Sequence, residues 1–409
     1  MKLFFMHIEK TGGTSVSAYL EQNYHENAYH SRTRRTDLSM STKPIKKMSI
    51  DALRGYDLVH SHLSYQTLQD LGSDYRSFTM LREPVSRCIS QYKDWKFSKS
   101  DAHIEYASSG FRRFWKSIVR TNTLDELVQC GDPVMRRFLC NRQTRMLSGD
   151  TKSDEPSLDL ALKNLYSFDV VGLTEQFEQS MEHLRLRMGW TYKANHRAHL
   201  NRALPASSCF QVGDEALAVL EHWNRADTVV FQEACKLFAS QETKIAEQGF
   251  AHKDEVLQKS SLGSQYSFRM SEKLVGEGWY QRESHPAGTV RWSGPDQKSF
   301  LDIPPMQTDI DYILLIGLVC AIDQEVYDRT RYTINGHLLQ PIGQEVAGHQ
   351  IQQRFAVPGS VLHSDKSSRV FITTPKTITH NSIEPTVADH RPKGVAITGF
   401  DLLPAKKLR

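Results

Sequence analysis

The chain has 409 residues, 39% hydrophobic and 10% aromatic, with 51 basic against 47 acidic side chains. It is too apolar to be disordered, too long for one domain at roughly 100–200 residues each, and too near neutrality to read as a nucleic-acid binder. The longest apolar run, Tyr312–Ile322, is about half of what a membrane-spanning helix needs, so no transmembrane segment is expected.

Cysteines at 88, 130, 140, 209, 235 and 320 show no CxxC or framework spacing. They read as reduced thiols of a cytoplasmic protein, and nothing before Leu3 reads as a cleavable leader. Residues 1–150 hold 23 basic against 16 acidic side chains, so the N-terminal part would draw an anionic ligand.

Leu3–Ile8 has the texture of a buried strand. Glu9-Lys10-Thr11-Gly12-Gly13-Thr14-Ser15 follows, and Val16, Tyr19 and Leu20 then recur at helical spacing. A strand, a hydroxyl-rich glycine turn and a helix start make an anion site. Glycines let the backbone come close, first-turn N–H groups lack intrahelical partners, and the helix dipole is positive there. Lys10 adds a charge, and Thr14 and Ser15 add hydroxyl donors. Lysine precedes the glycines, which excludes a Walker A loop. An ordinary strand–turn–helix with a surface lysine is the bland alternative.

The apolar run Tyr56–His60 leads into His60-Ser61-His62, which puts both rings on one face at a strand end. Such a pair suits acid–base chemistry near neutral pH, structural packing or a metal, although the further ligands of a metal site are not apparent. Ser77–Leu81 is the next strand. Arg82-Glu83-Pro84 then opens a helix over Val85–Phe97, with proline suited to the first turn. Arg82 at the strand end and Ser90 on the helix are donors suited to a phosphate; a structural salt bridge is the alternative for Arg82.

Phe111–Val119 and Glu175–Met188 are further amphipathic stretches, and Asp169–Leu173 is another strand. Arg112, Arg113, Lys116, Arg120, Arg136, Arg137, Arg142 and Arg145 face few nearby acids. Arg112, Arg113 and Arg142 are therefore candidates to bind an anionic glycan, exposed helix faces being the alternative. Alternating strands and helices up to about residue 245 indicate an α/β domain with a mainly parallel sheet.

Gln241–Ser264 reads as a linker. Beyond it the helical period gives way to short β-rich segments: Thr289–Trp292, Ser299–Ile303, Tyr312–Ile322, Tyr327–Ile334, His337–Ile342, Gln350–Val357, Arg369–Thr374 and Val395–Leu403. Asn335-Gly336 marks a tight hairpin, because both central positions of a type I′ turn need positive φ. The expected division is an α/β domain over 1–245, a linker over 246–265 and a jelly-roll-like β-sandwich over 266–409.

Lys10-Thr11-Gly12-Gly13-Thr14-Ser15 after a first strand resembles the 5′-phosphosulfate loop of sulfotransferases that use 3′-phosphoadenosine 5′-phosphosulfate (PAPS). His7-Ile8-Glu9-Lys10 is similar to the carbohydrate sulfotransferase form, where position 9 is often proline. Arg82-Glu83-Pro84, Arg87, Ser90 and Tyr92 fit the family's 3′-phosphate element. His60-Ser61-His62-Leu63-Ser64-Tyr65 resembles the His-Gly-His segment of the heparan sulfate and uronyl 2-O-sulfotransferases. That likeness implies His62 as catalytic base, His60 as its auxiliary and Lys10 as the residue that meets leaving-group charge. Glu26 and Asp37 are the less favoured alternatives, corresponding to relatives with a glutamate base.

The resemblance further implies a P-loop-like fold, PAPS held by Lys10–Ser15, Arg82 and Ser90, and no metal. Asn201 and Arg202 fall where related enzymes close a loop over the nucleotide; a plain surface loop is as good a reading. Asn141–Leu147 and Phe168–Glu175 match later family blocks. Gly276–Tyr280 and Arg291–Pro295 look like an accessory β-sandwich on bacterial glycan-modifying transferases. Its Trp279, Tyr280 and Trp292 either stack on sugar or fill the sandwich core, the core carrying more weight. The resulting expectation is a bacterial carbohydrate O-sulfotransferase. A nucleotide-dependent kinase and a non-catalytic glycan-binding protein with a degenerate transferase domain are the competing readings.

Overall fold

The computed structural model describes residues 1–31, 48–98, 113–115, 123–130, 132–153, 155–193, 212–247, 262–387 and 389–405. Its N-terminal part is built on five parallel strands: β1 (Lys2–Met6), β2 (Tyr29–Ser31), β3 (Leu58–Ser61), β4 (Tyr75–Leu81) and β5 (Val170–Leu173). They lie in the order β2-β3-β1-β4-β5, so β1 is central and its C-terminal end is flanked by those of β3 and β4. Both faces are covered, which is why the strands read as continuous apolar runs rather than alternating ones.

Strand alternation divides the core. Phe4 and Met6 pack under helices Arg142–Ser148, Leu158–Leu165 and Arg225–Glu247, through Met146, Leu147, Ala161, Leu165, Val230 and Ala234. Leu3 and Phe5 face the opposite layer, formed by α1 (Gly13–Leu20) and the helix Phe177–Arg187. Short helices α2 (Ile50–Arg54) and α3 (Tyr65–Leu71) precede and follow β3. The expected helix over Val85–Phe97 is α4 (Pro84–Lys93), continued as a wider π turn over Asp94–Ser98. β2 has no counterpart in the sequence reading because its short pattern carries no apolar run.

The C-terminal part is antiparallel. One sheet runs β13 (His337–Leu338), β12 (Arg331–Ile334), β16 (Ser368–Thr373), β10 (Lys298–Ile303), β7 (Gly276–Glu277). The other runs β14 (Gln340–Ala347), β15 (Gln350–Val357), β11 (Tyr312–Ala321), β17 (Val395–Pro404), β9 (Gly288–Trp292), β8 (Glu283–His285), with β6 (Tyr266–Arg269) also on β17. Leu301, Ile303, Ile334, Val370 and Ile372 of the first meet Leu314, Ile316, Phe355, Ile397 and Leu402 of the second in one core. Tyr312–Ala321 (β11), within the chain's longest apolar run, is a central strand buried between neighbours on both edges. Asn335 and Gly336 have φ of 49° and 88° and join β12 (Arg331–Ile334) to β13 (His337–Leu338), as the hairpin signal required. The segment expected as a strand from Tyr327 instead starts in a helix, Gln324–Arg329, because Asp323 caps its Val326 N–H.

Trp279, Tyr280 and Trp292 lie in the sandwich core at 0, 1 and 6% exposure, which removes them as a sugar-stacking surface. Trp279 Nε1 donates to Phe300 O and the Tyr280 hydroxyl donates to Pro392 O, so their polar ends are also used.

The sandwich joins the α/β part where α1 ends. Leu274 N–H donates to Gln22 O and Glu26 N–H to Ser271 O. Arg282 N–H donates to Glu21 Oε1, and the Arg282 guanidinium reaches the carbonyls of Tyr24, Met270 and Glu272. The Tyr192 hydroxyl meets Asp302 Oδ2 at 3.0 Å. Since α1 starts at the C-terminal end of β1 and runs back along the sheet, this junction lies at the end opposite the Gly12-Gly13 loop.

Candidate active site

The loop after β1 is shaped by two left-handed residues, Lys10 (φ 70°) and Gly12 (φ 80°). Thr11 is fully buried and its hydroxyl donates to Ile8 O at 3.0 Å, so it braces the loop from within. The N–H groups of Ser15 and Val16 both donate to Gly12 O, which starts α1. No side chain caps this N-terminus, and its first turn holds no acidic residue. The Gly13 and Thr14 N–H groups therefore stand where a helix leaves its donors to an anion, beside the half-exposed Thr14 and Ser15. This donor set fits the 5′-phosphosulfate of PAPS.

The second helix start is arranged differently. Glu83 caps α4 with its own carboxylate, taking the N–H groups of Val85 and Ser86. The α4 dipole is thus already compensated, which leaves side chains as the anion donors there. Arg82 is fixed at its backbone by Gln143, whose amide accepts from Arg82 N–H and donates to Arg82 O. Its guanidinium donates to Lys10 O at 3.2 Å, tying the β4 end to the β1 loop. Burial lowers the Arg82 pKa from its ordinary value, opposed by Glu175 and reinforced by Arg87. Ser90 is half-buried on α4, one turn before Asp94, and Asp94 Oδ1 is 3.1 Å from Lys10 Nζ. Lys10, Arg82 and Ser90 thus surround one corner of the sheet.

Three histidines, not two, meet at this corner. His7 follows β1 on the same face as Phe5, and His60 pairs with Phe5 across β1 and β3. His60, 1% exposed, has Nε2 at 3.0 Å from Ser17 Oγ and 3.3 Å from His7 Nδ1. Stacking on Phe5 fixes both rings. Burial, with His62 and His60 close by, holds the His7 pKa well below 6.5 and keeps that ring neutral. His62, partly exposed, has its ring centroid 4.3 Å from that of His7 and its Nδ1 at 2.8 Å from His7 O. A carbonyl only accepts, so Nδ1 carries a proton and the neutral ring presents its lone pair at Nε2.

Glu9 and Arg142 complete the cluster. Arg142 Nε and NH2 bind the two carboxylate oxygens of Glu9 at 2.8 and 2.7 Å. Arg142 was expected to face a glycan groove; it is instead 7% exposed and bound to this carboxylate. Glu9 Oε1 is 3.9 Å from His62 Nδ1. Burial opposes the Glu9 charge, but Arg142 outweighs it, with a further pull from His62 when that ring is protonated, and the carboxyl is held well below the ordinary range.

The other sequence candidates fall elsewhere. Arg113 is exposed, next to Phe114 whose ring meets Trp95, and Arg112, Asn201, Arg202 and Asp37 lie outside the described residues. Glu26 accepts from Thr289 Oγ1 at the sandwich junction, at the far end of α1, which removes it as an alternative base. Among the described residues no His/Cys/Asp/Glu group is arranged to hold a metal. The sequence reading assigned no role to His7, Glu9 or Gln143. Alternation along β1 signals His7 beside Phe5, but the partners of Glu9 and Gln143 come from 133 and 61 residues away.

No helix among the described residues is long and apolar enough to cross a membrane. No curated protein matches the chain. A family model described as the sulfotransferase family matches residues 1–207, half the chain, and carries PAPS as the implied donor. The match covers the glycine-turn loop, Arg82 and the His cluster at one sheet corner, and the chain belongs to the sulfotransferase family.

Proposed function

We propose that the protein is a carbohydrate O-sulfotransferase with His62 as general base, nearest in kind to the heparan sulfate and uronyl 2-O-sulfotransferases. The observation that carries this reading is the His62 Nδ1 contact with His7 O, which fixes the proton on Nδ1 and leaves Nε2 as the basic nitrogen beside the Lys10 loop. PAPS, the donor substrate, supplies the sulfuryl group and a phosphate leaving group. Gly13 and Thr14 N–H groups, with Thr14, Ser15 and Lys10 side chains, would hold its 5′ end, and Arg82 and Ser90 its 3′-phosphate. Lys10 is paired with Asp94 here and would exchange that partner for donor phosphate.

His62 Nε2 takes the acceptor hydroxyl proton as that oxygen forms its bond to sulfur. The bridging S–O bond breaks, and its electron pair leaves with 3′-phosphoadenosine 5′-phosphate, whose charge Lys10 meets. This is catalysis by positioning and charge placement.

The reading includes a division at 1–245, 246–265 and 266–409. Support comes from the elements: parallel strands end at Leu173 and antiparallel ones begin at Tyr266. It also includes a bacterial origin and a cytoplasmic location, the latter supported by free thiols at Cys88, Cys130, Cys140, Cys235 and Cys320. With labelled PAPS and a panel of bacterial polysaccharides, His62→Ala should abolish transfer while calorimetric binding of 3′-phosphoadenosine 5′-phosphate stays within about threefold. Wild-type transfer by that variant would remove His62 as base. Tight ATP binding without bisphosphate binding would favour a kinase.

A further inference from the structure

A carboxylate stands against the protonated nitrogen of His62, at a loop position where the resembled enzymes often carry proline. Glu9 Oε1 lies 3.9 Å from His62 Nδ1, and both Glu9 oxygens are held by the Arg142 fork. Arg142 is fixed in turn: its helix, Arg142–Ser148, is capped at the Gln143 and Thr144 N–H groups by buried Asp227. The carboxylate therefore cannot swing away without leaving a buried guanidinium uncompensated.

We propose that Glu9 is a positioning residue for His62. Together with His7 O it holds the ring in the Nδ1–H tautomer, and its negative charge favours the imidazolium formed when Nε2 accepts the acceptor proton. This inference rests on His62 being the base. In the step, the hydroxyl proton moves to Nε2, Nδ1–H remains directed at His7 O, and no proton passes to Glu9, whose charge is kept by Arg142. Other groups near His62 are His7, neutral because it is buried, His60 behind it, the Lys10 ammonium close to His7, and the Arg142 guanidinium on the far side of Glu9. His7 and His60 cannot offer a compensating negative charge, and Lys10 disfavours the imidazolium. Glu9 sets a carboxylate 3.9 Å from that ring, nearer than the Arg142 charge that holds it from the other side.

The first readout observes His62 directly and needs no acceptor; the rate readouts use whichever polysaccharide of the panel accepts sulfate. The imidazole is titrated by NMR in the full chain carrying labelled histidine, with His62→Ala to assign its resonances. Glu9→Gln, which keeps an acceptor for Arg142, should lower the His62 titration midpoint by about one pH unit, a tenfold weaker hold on the proton. The pH–kcat profile with labelled PAPS should lose rate without a comparable change in bisphosphate affinity. Because Glu9→Gln leaves Arg142 without its counter-charge, the double variant Glu9→Gln/Arg142→Met serves as the neutral-pair control and should show the same direction of shift. An unchanged midpoint in both variants overturns the role of Glu9. Active His62→Ala with shifted Glu9→Gln would instead overturn the base assignment, so the two failures are distinguishable.

Discussion

A methyl group added at Gly13 would end 1.7 Å from His7 Nε2. That ring cannot retreat, since Phe5 and His60 stack against it and His60 Nε2 contacts its other nitrogen. Gly13→Ala should therefore cost about 1–3 kcal/mol in urea unfolding. The same substitution should weaken binding of 3′-phosphoadenosine 5′-phosphate, because the displaced loop carries the anion-facing N–H groups. The glycine pair was legible in the sequence as a close-approach motif. Its second tenant was not, for what Gly13 makes room for is a side chain of its own loop as well as a ligand. Arg142 shows the converse: its basic neighbourhood suggested a groove, yet the nearest carboxylate in space decided its role.

At the scale of elements, two helix starts hold each other. Asp227 accepts from Gln143 N–H, Thr144 N–H and the Thr144 hydroxyl, while Asn141 Oδ1 accepts from the N–H groups of Ala226 and Asp227. Gln143 then clamps the backbone of Arg82, so the cap reaches the site in two steps. Asp227→Ala leaves three donors without this acceptor and should cost about 3 kcal/mol by chemical denaturation, with reduced bisphosphate affinity. Retained stability would show that water replaces the carboxylate. The strands β1, β3, β4 and β5 and the helices α4 and Phe177–Arg187 were readable, because 3.6-residue and continuous apolar patterns report burial locally. The helices Arg142–Ser148 and Arg225–Glu247 were not, and the last turns of the second lie in the stretch read as a linker. The reciprocal cap joins residues more than eighty positions apart, and no local pattern encodes that.

Across the whole molecule, the sandwich grips the segment after α1 rather than the mouth of the site. Arg282 spans the junction through Tyr24 O and the sandwich's own Met270 and Glu272 carbonyls. Arg282→Ala should cost about 2–3 kcal/mol and, by loosening this joint, separate calorimetric unfolding into two transitions. A single unshifted transition would show that the remaining contacts suffice. The burial of Trp279, Tyr280 and Trp292 fits a module whose aromatics were recruited for its own core.

The sequence by itself determined the parallel-sheet transferase part, the following β-rich part and the strand-to-helix motifs at Lys10–Ser15 and Arg82. Each is encoded by short-range period, turn chemistry or spacing along one strand–helix unit. Only the tertiary structure decided that His7 joins His60 and His62, that Arg142 holds the Glu9 carboxylate beside them, and that the sandwich docks at the opposite end of α1. Those outcomes depend on which strand lies next to which and which buried charges find partners. Chain neighbours carry no record of that choice.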